Sequence, residues 1–309
     1  MTTLYQESDK NKTRTFFLMS GFFVFIILIG YAAAWYFNSS IILWIAVAYS
    51  IISSFVSYFW SDKIVLAMAG AKLIDRNNGR EIYRLVENLC ITAGLPVPKI
   101  YLIEDASANA FATGRDPEHA VIALTTGLLA RLEKAELEGV IAHELSHIGN
   151  RDILISTIAT VLVGTIAIIS DSVFRSMFWG GRSRDDNNSG GGQVALIKFI
   201  VFVVLIILAP LSAKLLSLAI SRNREFLADA SGALLTRYPE GLARALEKIS
   251  HGPALTKVNR ATAHMYIVSP LRDEQGTKRL SKSLPFAKAF MTHPPIEERI
   301  AKLRSLDIR

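Results

Sequence analysis

Cysteine is almost absent: Cys90 stands alone in a chain of 309 residues. A single thiol excludes an intramolecular disulfide framework and any sign of an oxidising compartment. Charge is scarce too. Asp, Glu, Lys and Arg make up 20% of the chain, against about 25% in an average soluble domain. No long basic run exists, so the net charge of +7 reads as charge flanking membrane segments, not as a nucleic-acid footprint. No internal repeat is visible. Apolar residues are in excess, at 51% with a mean hydropathy of +0.32. That balance argues against a disordered, collagenous or coiled-coil chain. It argues against an ordinary cytosolic enzyme as well, because the excess is gathered into blocks.

Phe16–Phe37 and Ser39–Trp60 are each 22 residues without charge. A bilayer core needs about 20 apolar residues in a helix, so both qualify, and the short connection between them predicts a tight hairpin. A signal peptide is the alternative for the first, since Lys10, Lys12 and Arg14 precede it and Ala32–Ala34 could imitate a cleavage site. The length of the run and the immediate second span oppose that reading. Two later segments are weaker. Ile153–Ser170 is uncharged, and Val194–Ile220 is strongly apolar although Lys198, Pro210 and Lys214 interrupt it. They predict a second transmembrane hairpin, with Gly180–Gly192 as its flexible polar loop. Lys63, Lys72, Arg76 and Arg80 follow the second span, so the N-terminus and residue 61 onward should be cytoplasmic. Arg182 and Arg184 in the later loop mildly violate the same rule.

Four stretches result: a tail and transmembrane hairpin (1–60), a first cytoplasmic piece (61–152), the second hairpin (153–220) and a second cytoplasmic piece (221–309). The two pieces total about 180 residues, enough for one well-buried core. Asn78–Ala93 reads as a helix stopped by Gly94 and Pro96, and Lys134–Asn150 reads as another. Lys99–Ile103 and Ala120–Leu124 read as short strands, with Glu104–Arg115 as a loop between them. The expected fold class is a mainly α membrane protein carrying an α+β domain with a small sheet. Cys90 falls on an apolar helix face and belongs to the core.

His143-Glu144-Leu145-Ser146-His147 is an H-E-x-x-H. On a helix, positions i and i+4 share a face, so both imidazoles can reach one ion, and Glu144 can reach water on that ion. Zinc lowers the pKa of bound water to about 7, and a carboxylate takes up its proton as it attacks a carbonyl. A catalytic zinc keeps three protein ligands and an open position. Asn150 and Ile153 stand where the extended zincin pattern needs Gly and His, which excludes that class. After Glu144 the next glutamate is Glu225, four residues before Asp229. The two share a helix face. One can bind the metal while the other accepts the spare N–H of a ligating histidine, and spacing alone leaves the choice open. A metal buried within the membrane is disfavoured by the charges on Lys134–Asp152 and the lack of a Leu-Asp-Gly motif.

These residues resemble the HtpX membrane metalloproteases, relatives of the CAAX prenyl proteases. The likeness covers most of the chain. It includes the N-terminal double span, Ser107–Gly114, Ala123–Leu129, His143–His147 followed by Arg151-Asp152, Ser221–Asp229, and Thr292-His293-Pro294-Pro295 with Arg299. It implies a zincin-type domain with one zinc per chain on His143, His147 and Glu225, Glu144 as base, and Asp229 behind a ligand. It also implies a bacterial inner-membrane endopeptidase, multi-pass, with a cytoplasmic active site. Its partners would be the bilayer and damaged or misfolded membrane proteins, in a stress response. His293 or Arg299 would help stabilise the oxyanion, and Asn109 is a further candidate for substrate contact. On residues alone, His293 is a turn histidine. Ala120–Leu124 is either a core strand or an edge strand that pairs with extended substrate.

Two other classes compete. A catalytically silent scaffold with structural metal would want four protein ligands, often cysteine, and would have no use for Glu144. A transporter would carry its polar residues near the midplane of its spans, whereas these lie outside them.

Overall fold

The computed structural model describes residues 4–36, 38–179, 222–253, 255, 262–268 and 294–307. The first apolar block forms α1 (Leu4–Tyr36) and α2 (Ser40–Phe59), reversed through Asn38 in a left-handed conformation with φ 48°. The helices close in at Gly30, where a Cβ would collide with Ala46. Among the described residues, Thr13–Tyr31 and Ser40–Phe59 are the two helices long and apolar enough to cross a bilayer. Only 22% and 11% of those windows are buried. Phe16, Phe17, Leu28, Trp35, Trp44 and Ile45 are all exposed. The core helix of a soluble protein would hide such side chains; here the apolar surface faces outward, as lipid requires.

Helix α3 (Ser61–Met68) leads into β1 (Lys72–Leu73) and α4 (Arg80–Ala93). Gly94 ends α4 in the left-handed region, φ 66°, so the expected stop falls where the sequence puts it. Strands β2 (Lys99–Ile103), β3 (Ala110–Thr113) and β4 (Val121–Thr125) complete a four-stranded sheet in the order β1-β2-β4-β3. Strand β4 runs parallel to β2 and antiparallel to β3, with Ala110 opposite Leu124. One expectation is therefore corrected: the stretch read as a loop contains β3. Of the two readings left open for residues 120–124, the core strand is the one found, and β3 is an edge of the sheet. Strand β4 is interior, and all five of its residues are buried.

Thr125 caps α5 (Thr126–Arg131) by accepting the Leu128 N–H. Helix α6 (Lys134–Gly149) starts with a capping box, in which the Glu133 N–H donates to Glu136 Oε2 at 2.8 Å. After α6 the chain reverses at Arg151, φ 56°, and enters α7 (Asp152–Trp179), the third apolar segment. Ile155, Ile158, Leu162 and Ile166 of α7 pack on Leu18 and Phe22 of α1. The Gly180–Gly192 loop and Val194–Ile220 lie outside the described residues. The chain resumes in α8 (Arg222–Thr236), α9 (Pro239–Ser250) and α10 (Ile296–Arg304).

Residues from both sides of the 153–220 stretch share one core. Ile100, Ile122 and Leu124 of the sheet and Ile141 and Leu145 of α6 meet Leu242 and Leu246 of α9, with Cys90 buried among them. Helix α6 is central to it, burying Val140, Ile141, Leu145 and Ile148 along with Glu136, His143 and Glu144. Two glycines permit that packing. A Cβ on Gly139 would come within 2.7 Å of the Leu242 backbone, and one on Gly232 within 2.9 Å of the His143 backbone.

Candidate metal centre

The i, i+4 spacing on α6 sets His143 and His147 on one face, with their Nε2 atoms 3.2 Å apart. Glu225, in the first turn of α8, brings Oε1 to 3.7 Å from His147 Nε2. The three donors all lie within 4.8 Å of one another. The outer sides of both rings face carboxylates. His143 Nδ1 stands 2.9 Å from Asp229 Oδ1, and His147 Nδ1 is 3.2 Å from Asp152 Oδ2. With the Nδ1 of each ring turned to a carboxylate, both Nε2 atoms face the space between them, where a cation can take the place of a proton they would otherwise share.

The donor set and its spacing fit zinc. A tetrahedral ion with bonds of 2.0–2.2 Å sets its donors roughly 3.3–3.6 Å apart. Two imidazoles and one carboxylate leave the fourth position open, as a hydrolytic site requires. No cysteine is available to close it, Cys90 being buried in the core.

The carboxylates divide by what touches them. Asp229 is gripped by Arg299, whose Nε donates to Oδ2 at 2.8 Å and whose Nη2 donates to Oδ1 at 2.6 Å. Burial alone would raise the Asp229 carboxyl, but the Arg299 charge and its hydrogen bonds hold it down to about 2. Arg299 is fully buried; its third nitrogen, Nη1, donates to the Ile267 carbonyl at 2.9 Å and stands 3.6 Å from Glu225 Oε2. One guanidinium thus orients both acidic residues of α8, and all three of its nitrogens are engaged on protein groups. Burial opposes a charge on His147, yet the bond to Asp152 and the charges of Glu225, Asp152 and Glu144 lift the free imidazole to about 9. Protons and a metal ion compete for this nitrogen.

Glu144 is 2% exposed and accepts a hydrogen bond from the Ala112 N–H of β3. Burial pushes its carboxyl above the ordinary range, and the imidazoles of His143 and His147 offset part of the rise. A carboxylate shifted this way suits proton transfer near neutral pH. The outward edge of β3 is engaged elsewhere too, since the Ile267 N–H donates to the Ala110 carbonyl at 2.9 Å. Asn109 holds the adjoining residue, its Nδ2 donating to the Val268 carbonyl at 2.8 Å and its Oδ1 accepting from the Ala110 N–H at 3.1 Å.

The structure therefore brings together His143, Glu144, His147, Glu225, Asp229 and Arg299, with Asn109 at the adjoining end of β3. His293 lies outside the described residues. Sequence reasoning gave Asp152 no role, although it sits five residues after His147, across a helix end. The signal was an acidic residue opening an apolar helix immediately behind the H-E-x-x-H. Strand β3 was hidden because small residues, Ala110 and Ala112, occupy half of its four positions.

The profile of peptidase family M48 matches residues 76–307. A protein named Protease HtpX homolog from Syntrophobacter fumaroxidans is 45% identical over 96% of this chain and 99% of its own. Relatives with the same name from Dictyoglomus turgidum and Thermoanaerobacter pseudethanolicus are 43% and 41% identical, over 99% and 98% of this chain and 96% and 98% of theirs. Among solved structures, that of S. mikatae Ste24p aligns with 97% of this chain and 66% of its own at 18% identity. The TM-score of that alignment is 0.48.

Proposed function

The chain belongs to peptidase family M48, and from that premise we propose that His143, His147 and Glu225 hold one zinc ion while Glu144 acts as general base in peptide-bond hydrolysis. It is a membrane-bound metalloendopeptidase. The observation that carries the site assignment is the pair of inward-facing Nε2 atoms, each ring backed by a carboxylate, with Glu225 opposite. Zinc bound there supplies Lewis acidity, acidifying water and polarising a peptide carbonyl. The remaining tasks fall to the chain. Asp229 and Asp152 keep the two imidazoles in the tautomer that presents Nε2. Arg299 holds Asp229 and Glu225 in register. Glu144 takes the proton of the attacking water and hands it to the leaving amine, with the Ala112 N–H steadying its carboxylate between transfers.

Residues 61–152 and 221–309 are the catalytic unit in this reading, and 1–60 with 153–220 are the membrane part. Lys10, Lys12 and Arg14 before the first span, and Lys63, Lys72, Arg76 and Arg80 after the second, support a cytoplasmic active site in a bacterial inner membrane. The proposed substrates are misfolded or damaged membrane proteins, which a site at the membrane surface would meet as they lose their packing.

The test uses the full chain in detergent, with zinc per chain and cleavage of an unfolded polypeptide measured on the same sample. About one zinc per chain is expected, and strong chelation should abolish cleavage. Glu144→Gln keeps the size of the side chain but cannot take a proton. It should retain zinc and lose about 10²–10⁴-fold in cleavage rate. Cleavage by Glu144→Gln at the native rate overturns the mechanism.

A further inference from the structure

Asn11 is a buried amide, 1% exposed, in the charged N-terminal part of α1, two residues before its apolar span. Burying an amide is unfavourable unless its hydrogen bonds are satisfied. Asn11 is satisfied, and by groups that are neighbours of the metal centre and not of α1. Its Nδ2 donates to Asp152 Oδ1 at 2.6 Å and to the Asn150 carbonyl at 3.1 Å, across more than a hundred residues of chain. Its Oδ1 is 3.5 Å from Arg224 Nη1, which also lies 3.3 Å from Asp152 Oδ1. Thr15, one turn on, is the contrast. It is buried as well, yet its hydroxyl donates to the Asn11 carbonyl of its own helix, as a residue with no task beyond packing does.

Asp152 is thus held from three sides. Asn11 and Arg224 occupy Oδ1, which leaves Oδ2 for His147 Nδ1. The left-handed turn at Arg151, a conformation a residue with a Cβ seldom adopts, brings Asp152 beside His147. Two protein donors on one oxygen fix the carboxylate plane. That plane in turn fixes the tautomer and tilt of the imidazole whose Nε2 faces His143 and Glu225.

We propose that Asn11, on the first membrane helix, is a positioning residue for the metal centre, acting through Asp152 to orient His147. The helix that anchors the chain then also completes the support of the site. This inference rests on the zinc assignment above.

The test compares the native full chain, Asn11→Leu, Asp152→Ala and the double variant in detergent. It measures zinc retained against a competing chelator, and kcat and KM separately. Leucine is close to asparagine in size and a good helix former, so Asn11→Leu should accumulate normally. Asp152→Ala is expected to weaken zinc retention about 10–100-fold, the usual effect of removing a group behind a ligating histidine, and Asn11→Leu to weaken it by about 3–10-fold. The kcat of Asn11→Leu should fall while KM holds. In the Asp152→Ala background, adding Asn11→Leu should change nothing further, because the connection is already cut. Native retention in Asn11→Leu overturns the proposal. So does a loss that simply adds to that of Asp152→Ala, which would mark Asn11 as a packing residue. A native chain without zinc or cleavage would instead overturn the zinc assignment, independently of Asn11.

Discussion

At the residue scale, Glu225 and Asp229 are the informative pair. Spacing alone left their roles open, because both are acidic and share a helix face, and the family resemblance favoured Glu225 as the ligand. Their partners separate them: Asp229 spends its oxygens on Arg299 and His143, whereas Glu225 directs Oε1 toward His147 Nε2. Glu225→Ala should therefore empty the site under mild chelation. Asp229→Asn keeps the shape beside Arg299, so it should stay loaded and lose about 10–100-fold in turnover. Zinc per chain beside residual activity measures both, and the reverse pattern would exchange the two roles. The resemblance offered Arg299 as an oxyanion candidate, and nothing in the sequence pointed to its pairing with Asp229. Its grip on both acids depends on the docking of α10, which no local pattern encodes.

At the scale of elements, the long periodic pieces were readable and the short ones were not. The α6 helix, α4 with its Gly94 stop, and β2 lie within a residue or two of their expected bounds, because capping and periodicity are local signals. Strand β3 depends instead on pairing with β4 and on the Ala112 contact to Glu144, which are not local. Helix α8 faces α6 through Gly232, where an added Cβ would meet the His143 backbone at 2.9 and 3.1 Å. Gly232→Ala touches no ligand side chain, yet it must push α8 away from α6 and carry Glu225 and Asp229 with it. A loss of about 1–3 kcal/mol in stability is expected from such overpacking, together with weaker zinc retention. Thermal melts with and without zinc check it. Unchanged melting and unchanged retention would mean the helices can separate without disturbing the site.

At the scale of the whole molecule, the membrane reading rests on α1 and α2, whose apolar side chains face outward. The orientation is tested by cysteine at Ser189 in a Cys90→Ala background. An impermeant thiol reagent should label it from outside the cell. Labelling only from the cytoplasmic side would remove the second spanning hairpin and leave the metal site intact. That hairpin was the least legible part of the chain, because Lys198, Pro210 and Lys214 break its second apolar run. The order of the donors along the chain sets the timing of synthesis. His143 and His147 emerge first, and Glu225 follows only after another 78 residues, most of them the apolar stretch 153–220. At about 5–20 residues per second, the ribosome takes roughly 4–16 s to cover that interval. With Glu225 as the proposed third ligand, the nascent chain throughout that interval carries two imidazoles without their carboxylate partner, and the proposed zinc site would be complete only once the chain has come back to α6.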